Sequence, residues 1–333
     1  MTMRAMVVDG TGYEHLRVER RPIPVPGPGQ VQVRITAATL NYRDFLMLHG
    51  KSTLGRNPRY VPLSCGAGVV TAIGDGVTRV IVGDRVCPTF FHDWLNGPLK
   101  DPQLALGGTV DGVAAEYGCF PQDYVVRIPD TLGDLEAATL PCAALTAWTS
   151  MFVVRATKPG DVVLLQGTGG VSIAGLQLAK AAGATVVITS SSDARLARAR
   201  SLGADFTINY ARTPDWGAQA RKLTGGRGVD VVLEVAGAET LEQSRAAVRS
   251  GGTIAGIGLL AGTPVWTVAA KPPELIRIRV GSRDDFEDMN RAIVQGAVRP
   301  VVDRVFPLER LGDALRILKA GGTFGKIGID VTL

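Results

Sequence analysis

Residues 161–210 read DVVLLQGTGGVSIAGLQLAKAAGATVVITSSSDARLARARSLGADFTINY. The apolar run VVLLQ enters a glycine-rich turn. A helix-compatible stretch, SIAGLQLAKAAGA, follows, and a second apolar run ends in Ser190, Ser191 and Ser192. A strand that turns through glycines into a helix suits a pyrophosphate. The first glycine makes the tight turn, the second lets backbone amides approach the anion, and the third lets helix and strand pack closely. Here the turn is Gly167, Thr168, Gly169, Gly170, Val171 and Ser172, so a small hydroxyl residue replaces the third glycine. Amides opening the helix face the anion, and the helix dipole favours negative charge there. A ligand-free strand–helix corner can carry the same glycines. The flanking strands and helix favour the dinucleotide reading.

The serines bear on which dinucleotide. About 20 residues past such a turn, an NAD site places Asp or Glu on the ribose hydroxyls. Ser190 and Ser191 instead offer donors to a 2′-phosphate, and Arg195, one turn into the next helix, can pair with it in forked geometry. Ser192 and Asp193 also suit a helix cap. Asp193 keeps an NAD reading open, but it lies beyond the strand end. The pattern therefore favours NADP(H), and with it a reductase.

Outward from this segment, short apolar strands alternate with helices. Strands are expected at 162–166, 185–189, 206–209, 231–234 and 252–257, with helices at 171–182, 193–201, 215–224 and 240–248. That rhythm predicts an α/β fold with a doubly wound parallel sheet covered on both faces. The first 130 residues are β-rich instead, with alternation at 31–37, short strands at 66–77 and 82–90 separated by Gly-Asp turns, and a short helix after Asn41. Helical segments are expected at 134–139 and 143–155. After residue 281 a helix (283–295), a strand (301–306), a helix (311–319) and a strand (326–330) return to the first domain. The expected division is 1–130 with 281–333, and 131–280.

A chain of 333 residues suits two domains. Its net charge of +5 is mild and dispersed, without a basic stripe or interleaved aromatics, which argues against nucleic acid. No apolar run reaches the roughly 18 residues a membrane helix requires, and the N-terminus reads as a strand rather than a signal segment. A soluble, cytoplasmic protein without a membrane partner is expected. Cys65, Cys87, Cys119 and Cys142 form no CxxC pair or Cys/His cluster, so neither disulfides nor structural zinc are suggested.

LNYRDFLMLHG, GAGVVTAIGDGVTRVIVGDRV, LGGTVDGVAAEY, AATLPCAALTAW, GTGGVS, TSSSD, LGADFTINY and TFGKIGI, in this order and spacing, resemble the medium-chain dehydrogenase/reductase superfamily over essentially the whole chain. The resemblance implies a GroES-like β-rich catalytic domain, split in sequence, around a Rossmann domain, with the active site in the cleft. Zinc alcohol dehydrogenases of this superfamily hold the catalytic metal with Cys, His and Cys. Asn41 and Ser64 stand at the first two positions and Cys142 at the third. One thiol cannot hold zinc, so no metal is expected. The chain resembles the zinc-free branch of quinone oxidoreductases, zeta-crystallin and enoyl reductases, with Cys142 as a packing residue.

Further positions follow from the resemblance. Thr146 matches a residue beneath the nicotinamide, Tyr210 one near the adenosine phosphate, Leu259 one in the loop supporting the carboxamide, and Lys326 a basic residue near the pyrophosphate. Ser282 and Arg283 fall at a crossover near the cofactor. Asn41, Tyr42 and Asp44 line the emptied metal site and are the catalytic candidates, although Tyr42 can equally pack and Asp44 serve an ion pair. Phe91, His92 and Trp94, in the loop 90–108, can stack on a planar substrate or pack the loop. The expected partner is a small apolar carbonyl or quinone, in a homodimer that extends the sheet near 267–281. A zinc-free carbonyl reductase or alcohol dehydrogenase, and a non-catalytic NADPH-binding protein, are the alternatives.

Overall fold

The computed structural model describes residues 1–52, 55–98, 104–258 and 274–333. Contacts divide the chain into two units. The first comprises Met1–Ala143, Ser282–Arg291 and Pro300–Leu333, and the second Ala144–Gly281 with Ala292–Arg299. Residues 131–143 thus belong with the first unit, beyond the boundary expected at 130.

The first unit begins with the antiparallel pair β1 (Thr2–Val8) and β2 (Leu16–Pro22). Its main sheet uses β3 (Gln30–Thr39), which leads into helix α1 (Tyr42–Leu48), then β4 (Cys65–Ile73), β5 (Arg85–Pro88), β6 (Tyr117–Pro121) and β7 (Val125–Arg127). A short helix α2 (Asp134–Ala137) follows, and a π-helical turn, Leu140–Ala144, closes the segment. In the second unit, helix α3 (Leu145–Trp148) and a second π-helical turn (Thr149–Val153) precede the nucleotide-type sheet. The expected helix 143–155 is therefore interrupted on both sides of α3.

The second unit continues with β8 (Val162–Leu165), α4 (Gly170–Ala181), β9 (Thr185–Ser190), α5 (Asp193–Ser201), β10 (Phe206–Asn209), α6 (Trp216–Leu223), β11 (Val229–Glu234), α7 (Leu241–Ala247), β12 (Val248–Gly256) and β13 (Glu274–Arg277). Among the described residues these strands form one sheet in the order β10-β9-β8-β11-β12-β13, every pair parallel. Sequence order reverses between β8 and β11, the switch point at which doubly wound sheets take ligands beyond their strand C-termini. All residues of β8 and β11 are buried, as in central strands covered on both faces.

The chain then runs through helix α8 (Arg283–Gln295), β14 (Val302–Pro307), α9 (Leu311–Ala320) and β15 (Lys326–Asp330). β15 pairs antiparallel with β3 and parallel with β14, so the C-terminal segment completes the first unit's sheet, β14-β15-β3-β4-β5-β7 with β6 on β3. This pairing brings Lys326, the first residue of β15, to the end of β3 just before Asn41. The first unit's core gathers Val31, Val33 and Ile35 of β3, Val70 of β4 and Ile327 and Ile329 of β15.

Candidate functional site

In the second unit the glycine turn has the shape its sequence suggests. Gly167 adopts φ +68°, a left-handed conformation open to glycine, and its amide donates to Thr189 Oγ1 at 3.3 Å. Gly169 precedes the first turn of α4 and receives no side-chain cap. A Cβ added at Gly169 would meet nothing within 4 Å. The space above the first amides of α4 is thus left open by the chain itself, as a phosphate cradle requires. Gly170 and Val171 are the first helical residues, and Thr168 is buried between them and β8.

Ser172 explains the missing third glycine. It is buried, and its hydroxyl donates to Gln166 O at 2.6 Å, tying the helix to the end of the strand. The close packing falls one turn later, at Gly175, where a Cβ would lie 3.1 Å from Leu165 and 3.3 Å from Leu233.

At the end of β9, Arg195 Nε donates to Ser190 Oγ at 3.3 Å and Arg195 Nη2 to Ser191 Oγ at 3.2 Å. One guanidinium and two hydroxyls thus converge beside the strand end. Ser192 caps α5, accepting from the Arg195 amide. Asp193, the carboxylate of the NAD alternative, is taken up elsewhere by an ion pair with Arg212 and by Asn209 Nδ2 at 2.9 Å. Tyr210 is exposed, and its amide donates to Ser190 O at 3.1 Å. Thr146 is buried in α3 and its carbonyl accepts from Ser150 Oγ at 2.7 Å. Leu259 and residues 267–273 of the expected dimer segment lie outside the described residues.

In the first unit, Asn41 sits between β3 and α1. Its backbone amide donates to Asp44 Oδ2 at 2.7 Å, so Asp44 serves as the reciprocal cap of that short helix. Burial raises the Asp44 carboxyl above its usual range, against the opposing pull of Arg43. Tyr42 packs against the unit's core, its ring 5.7 Å from that of Phe45. The Asn41 side chain is held at both ends. Lys326 Nζ donates to Asn41 Oδ1 at 2.6 Å and also to Leu40 O, while Asn41 Nδ2 donates to Cys65 Sγ at 3.1 Å and to Ser64 Oγ at 3.4 Å. Lys326 is therefore engaged at Asn41.

Cys65 is the residue that sequence reasoning passed over. It is fully buried and shares a hydrogen bond with Cys142, in the π-helical turn. Burial by itself raises the Cys65 thiol. The hydrogen bond with Cys142, the charge of Lys326 and the Asn41 amide outweigh it and hold Cys65 below its ordinary value. The shared hydrogen bond, with burial, raises Cys142 well above its own. The only signal in the sequence was adjacency to Ser64. Among the described residues no three His, Cys, Asp or Glu side chains are grouped to hold a metal ion.

The loop aromatics turn inward. Phe91 and His92 are buried, and Trp94 Nε1 donates to Gly97 O at 2.9 Å. His92 stacks on Tyr124 with centroids 5.4 Å apart and meets the Phe120 ring edge-on. Burial lowers its pKa to about 4, with only weak opposition from Asp93. The unfolded chain binds a proton near pH 6.5, so stability contributed by neutral His92 is present above that value and lost as pH falls towards 4. The shift corresponds to about 3 kcal/mol. His92→Phe should flatten the acid limb of a denaturant-derived stability profile by about that amount between pH 7 and 4. An unchanged profile would refute the assignment. Ser282 caps α8 through Asp285, 2.7 Å from its hydroxyl, and Arg283 pairs with Asp284 at 2.8 Å.

Residues 27–130 match the alcohol dehydrogenase GroES-like domain, and residues 170–295 match the zinc-binding dehydrogenase family. A zinc-type alcohol dehydrogenase-like protein of Schizosaccharomyces pombe is 40% identical, covering 99% of this chain and all of its own. The solved structure of an NAD-dependent alcohol dehydrogenase is 33% identical, with a TM-score of 0.88, covering 99% of this chain and 100% of that one. Two mycobacterial structures, one complexed with NADPH and one of a quinone oxidoreductase, are each 28% identical, with TM-scores of 0.82 and 0.80, covering 98% of this chain and 99% of theirs. The chain belongs to the medium-chain dehydrogenase/reductase superfamily of oxidoreductases.

Proposed function

We propose that this protein is a zinc-independent, NADPH-dependent oxidoreductase that reduces a quinone or an α,β-unsaturated carbonyl. The observation that carries the reading is the state of Asn41. Its oxygen is taken by Lys326 and its nitrogen by Cys65, so a residue at a ligand position of the zinc enzymes is already committed to its neighbours. Without a Lewis acid, an unactivated carbonyl loses its main stabilisation. A conjugated acceptor spreads the incoming charge over several atoms, and hydrogen bonds suffice to support it.

NADP(H) fits the residues of the second unit. The open space at Gly169 and the first amides of α4, from Gly170 and Val171, suit the pyrophosphate. Ser190, Ser191 and Arg195 suit a 2′-phosphate, and Asp193, being paired with Arg212, does not compete. Bound there, the cofactor supplies hydride. The protein's own contribution is orientation, with the Tyr42 hydroxyl as the group offered to substrate oxygen. The NADPH complex and the quinone oxidoreductase among the similar structures support this reading, whereas the NAD-dependent relative represents its rival. A homodimer formed by extending the sheet beyond β13, last in the strand order, belongs to the same proposal.

Metal-stripped protein should oxidise NADPH in the presence of quinones or enones. Activity restricted to simple alcohols and abolished by chelators would sink the proposal. The Arg195→Gln variant should lose about 30- to 100-fold in kcat/KM for NADPH, with NADH changed by less than about threefold. Equal losses with both cofactors would remove Arg195 from the 2′-phosphate.

A further inference from the structure

The relatives' zinc chemistry requires three protein donors and an open position. The corresponding centre here does not fit that requirement. Asn41 offers an amide oxygen that already accepts from Lys326 Nζ at 2.6 Å, and Ser64 is only 3.4 Å from the Asn41 nitrogen. Lys326 is 5% exposed, and its ammonium also donates to the Leu40 carbonyl. Its charge acts on Asp44, Cys65 and Cys142 together. A positive charge thus already stands beside the thiols that, among the described residues, are the soft donors of the centre.

We propose that the Lys326 ammonium is the resident cation of the Asn41–Cys65–Cys142 centre and the determinant that closes it to divalent metal. This deepens the zinc-independent reading and rests on it. Loss of the Cys and His ligands alone leaves two thiols and an amide, a set that still attracts zinc or cadmium weakly. Lys326 opposes such an ion in two ways. It repels the second positive charge in a poorly solvated site. It also holds the Asn41 oxygen and, through the Asn41 nitrogen, orients the amide donor towards Cys65, so the amide presents a hydrogen rather than a lone pair to the thiols. The β15–β3 pairing makes this possible, because it sets residues 285 apart in the chain within hydrogen-bond distance.

The test restores the ligands and then removes the lysine. Asn41→Cys with Ser64→His recreates a Cys, His and Cys set with Cys142. Zinc affinity is measured on reduced protein against competing chelators, with Lys326 retained and with Lys326→Met added. The triple variant should bind at least about 100-fold more tightly than the double. Lys326→Arg in the same background should keep zinc out. Equal affinity of double and triple variants overturns the proposal, whether both bind or neither does.

A second measurement needs no ligand restoration and covers the case in which those variants misfold. Cadmium should produce a sulfur-to-metal charge-transfer band in the single Lys326→Met variant and not in the wild type. A band of equal strength in both overturns the proposal. NADPH affinity of Lys326→Met should stay within about threefold of wild type. A tenfold or larger loss, with zinc and cadmium binding unchanged, places the lysine at the nucleotide instead and likewise overturns it. These readouts use no substrate, so failure of quinone or enone reduction would count against the proposed activity alone.

Discussion

Gly169→Val should leave the second unit folded and abolish nucleotide binding. The backbone at Gly169 has φ −77°, which any residue adopts, and a Cβ there meets nothing within 4 Å. The usual reasons for glycine intolerance are therefore missing. What remains is the ligand, because side-chain bulk at the second glycine of such a turn occupies the space the pyrophosphate needs. NADPH affinity, followed by nicotinamide fluorescence, should fall at least about 100-fold, or roughly 2.7 kcal/mol. The melting temperature without nucleotide should change by no more than about 3 °C. The same change at Gly175 should do the reverse, since its Cβ would press on Leu165 and Leu233. Normal NADPH binding by Gly169→Val would refute the cradle.

Asp230→Ala should cause the largest loss of stability. Asp230 is the second residue of β11, and its side chain is 1% exposed. Arg227 Nη2 lies 2.7 Å away, Arg249 Nε 2.6 Å, and the Val162 amide donates at 2.8 Å, so the carboxylate binds β8 to β11. Burial pushes its pKa up, but the two arginines and the amide prevail and hold it at about 2. Removing one partner of a buried charge network costs about 3 kcal/mol or more, because the others are left uncompensated. For a chain of 333 residues that lowers the melting temperature by roughly 4 °C. With the folded pKa depressed, the ionised group stabilises fully above pH 4 and its contribution vanishes as pH falls to about 2. The variant should therefore show a shallower acid limb as well as a lower plateau. A change under about 1 kcal/mol would show that the arginines rehydrate without loss.

The two predictions draw on different kinds of information. The Gly169 argument begins in the sequence, where strand, glycines and helix lie within a dozen residues of one another. Local chemistry set those elements, and α5, α8 and β15 appear over the residues expected. The π-helical turns around α3 were not legible, because whether a helix widens by one residue depends on what it packs against. Nor was β13, whose strand character comes from pairing with β12. Phe91, His92 and Trp94 were ambiguous for a related reason. An aromatic loop reads alike whether its rings face a ligand or, as the neighbours of His92 show, the protein interior.

By itself the sequence determined the superfamily, the parallel sheet with its phosphate turn, and the serine–arginine grouping at the end of β9. Each rests on residues close together in the chain, where spacing dictates geometry. Only the tertiary structure decided what stands around Asn41. Cys65, Cys142 and Lys326 come from three separate stretches and meet because β15 closes against β3 and the π-helical turn brings Cys142 to Cys65. The sequence could register that two zinc ligands were gone. That a lysine had come to lie among the remaining donors depends on long-range strand pairing and burial, which no local pattern encodes.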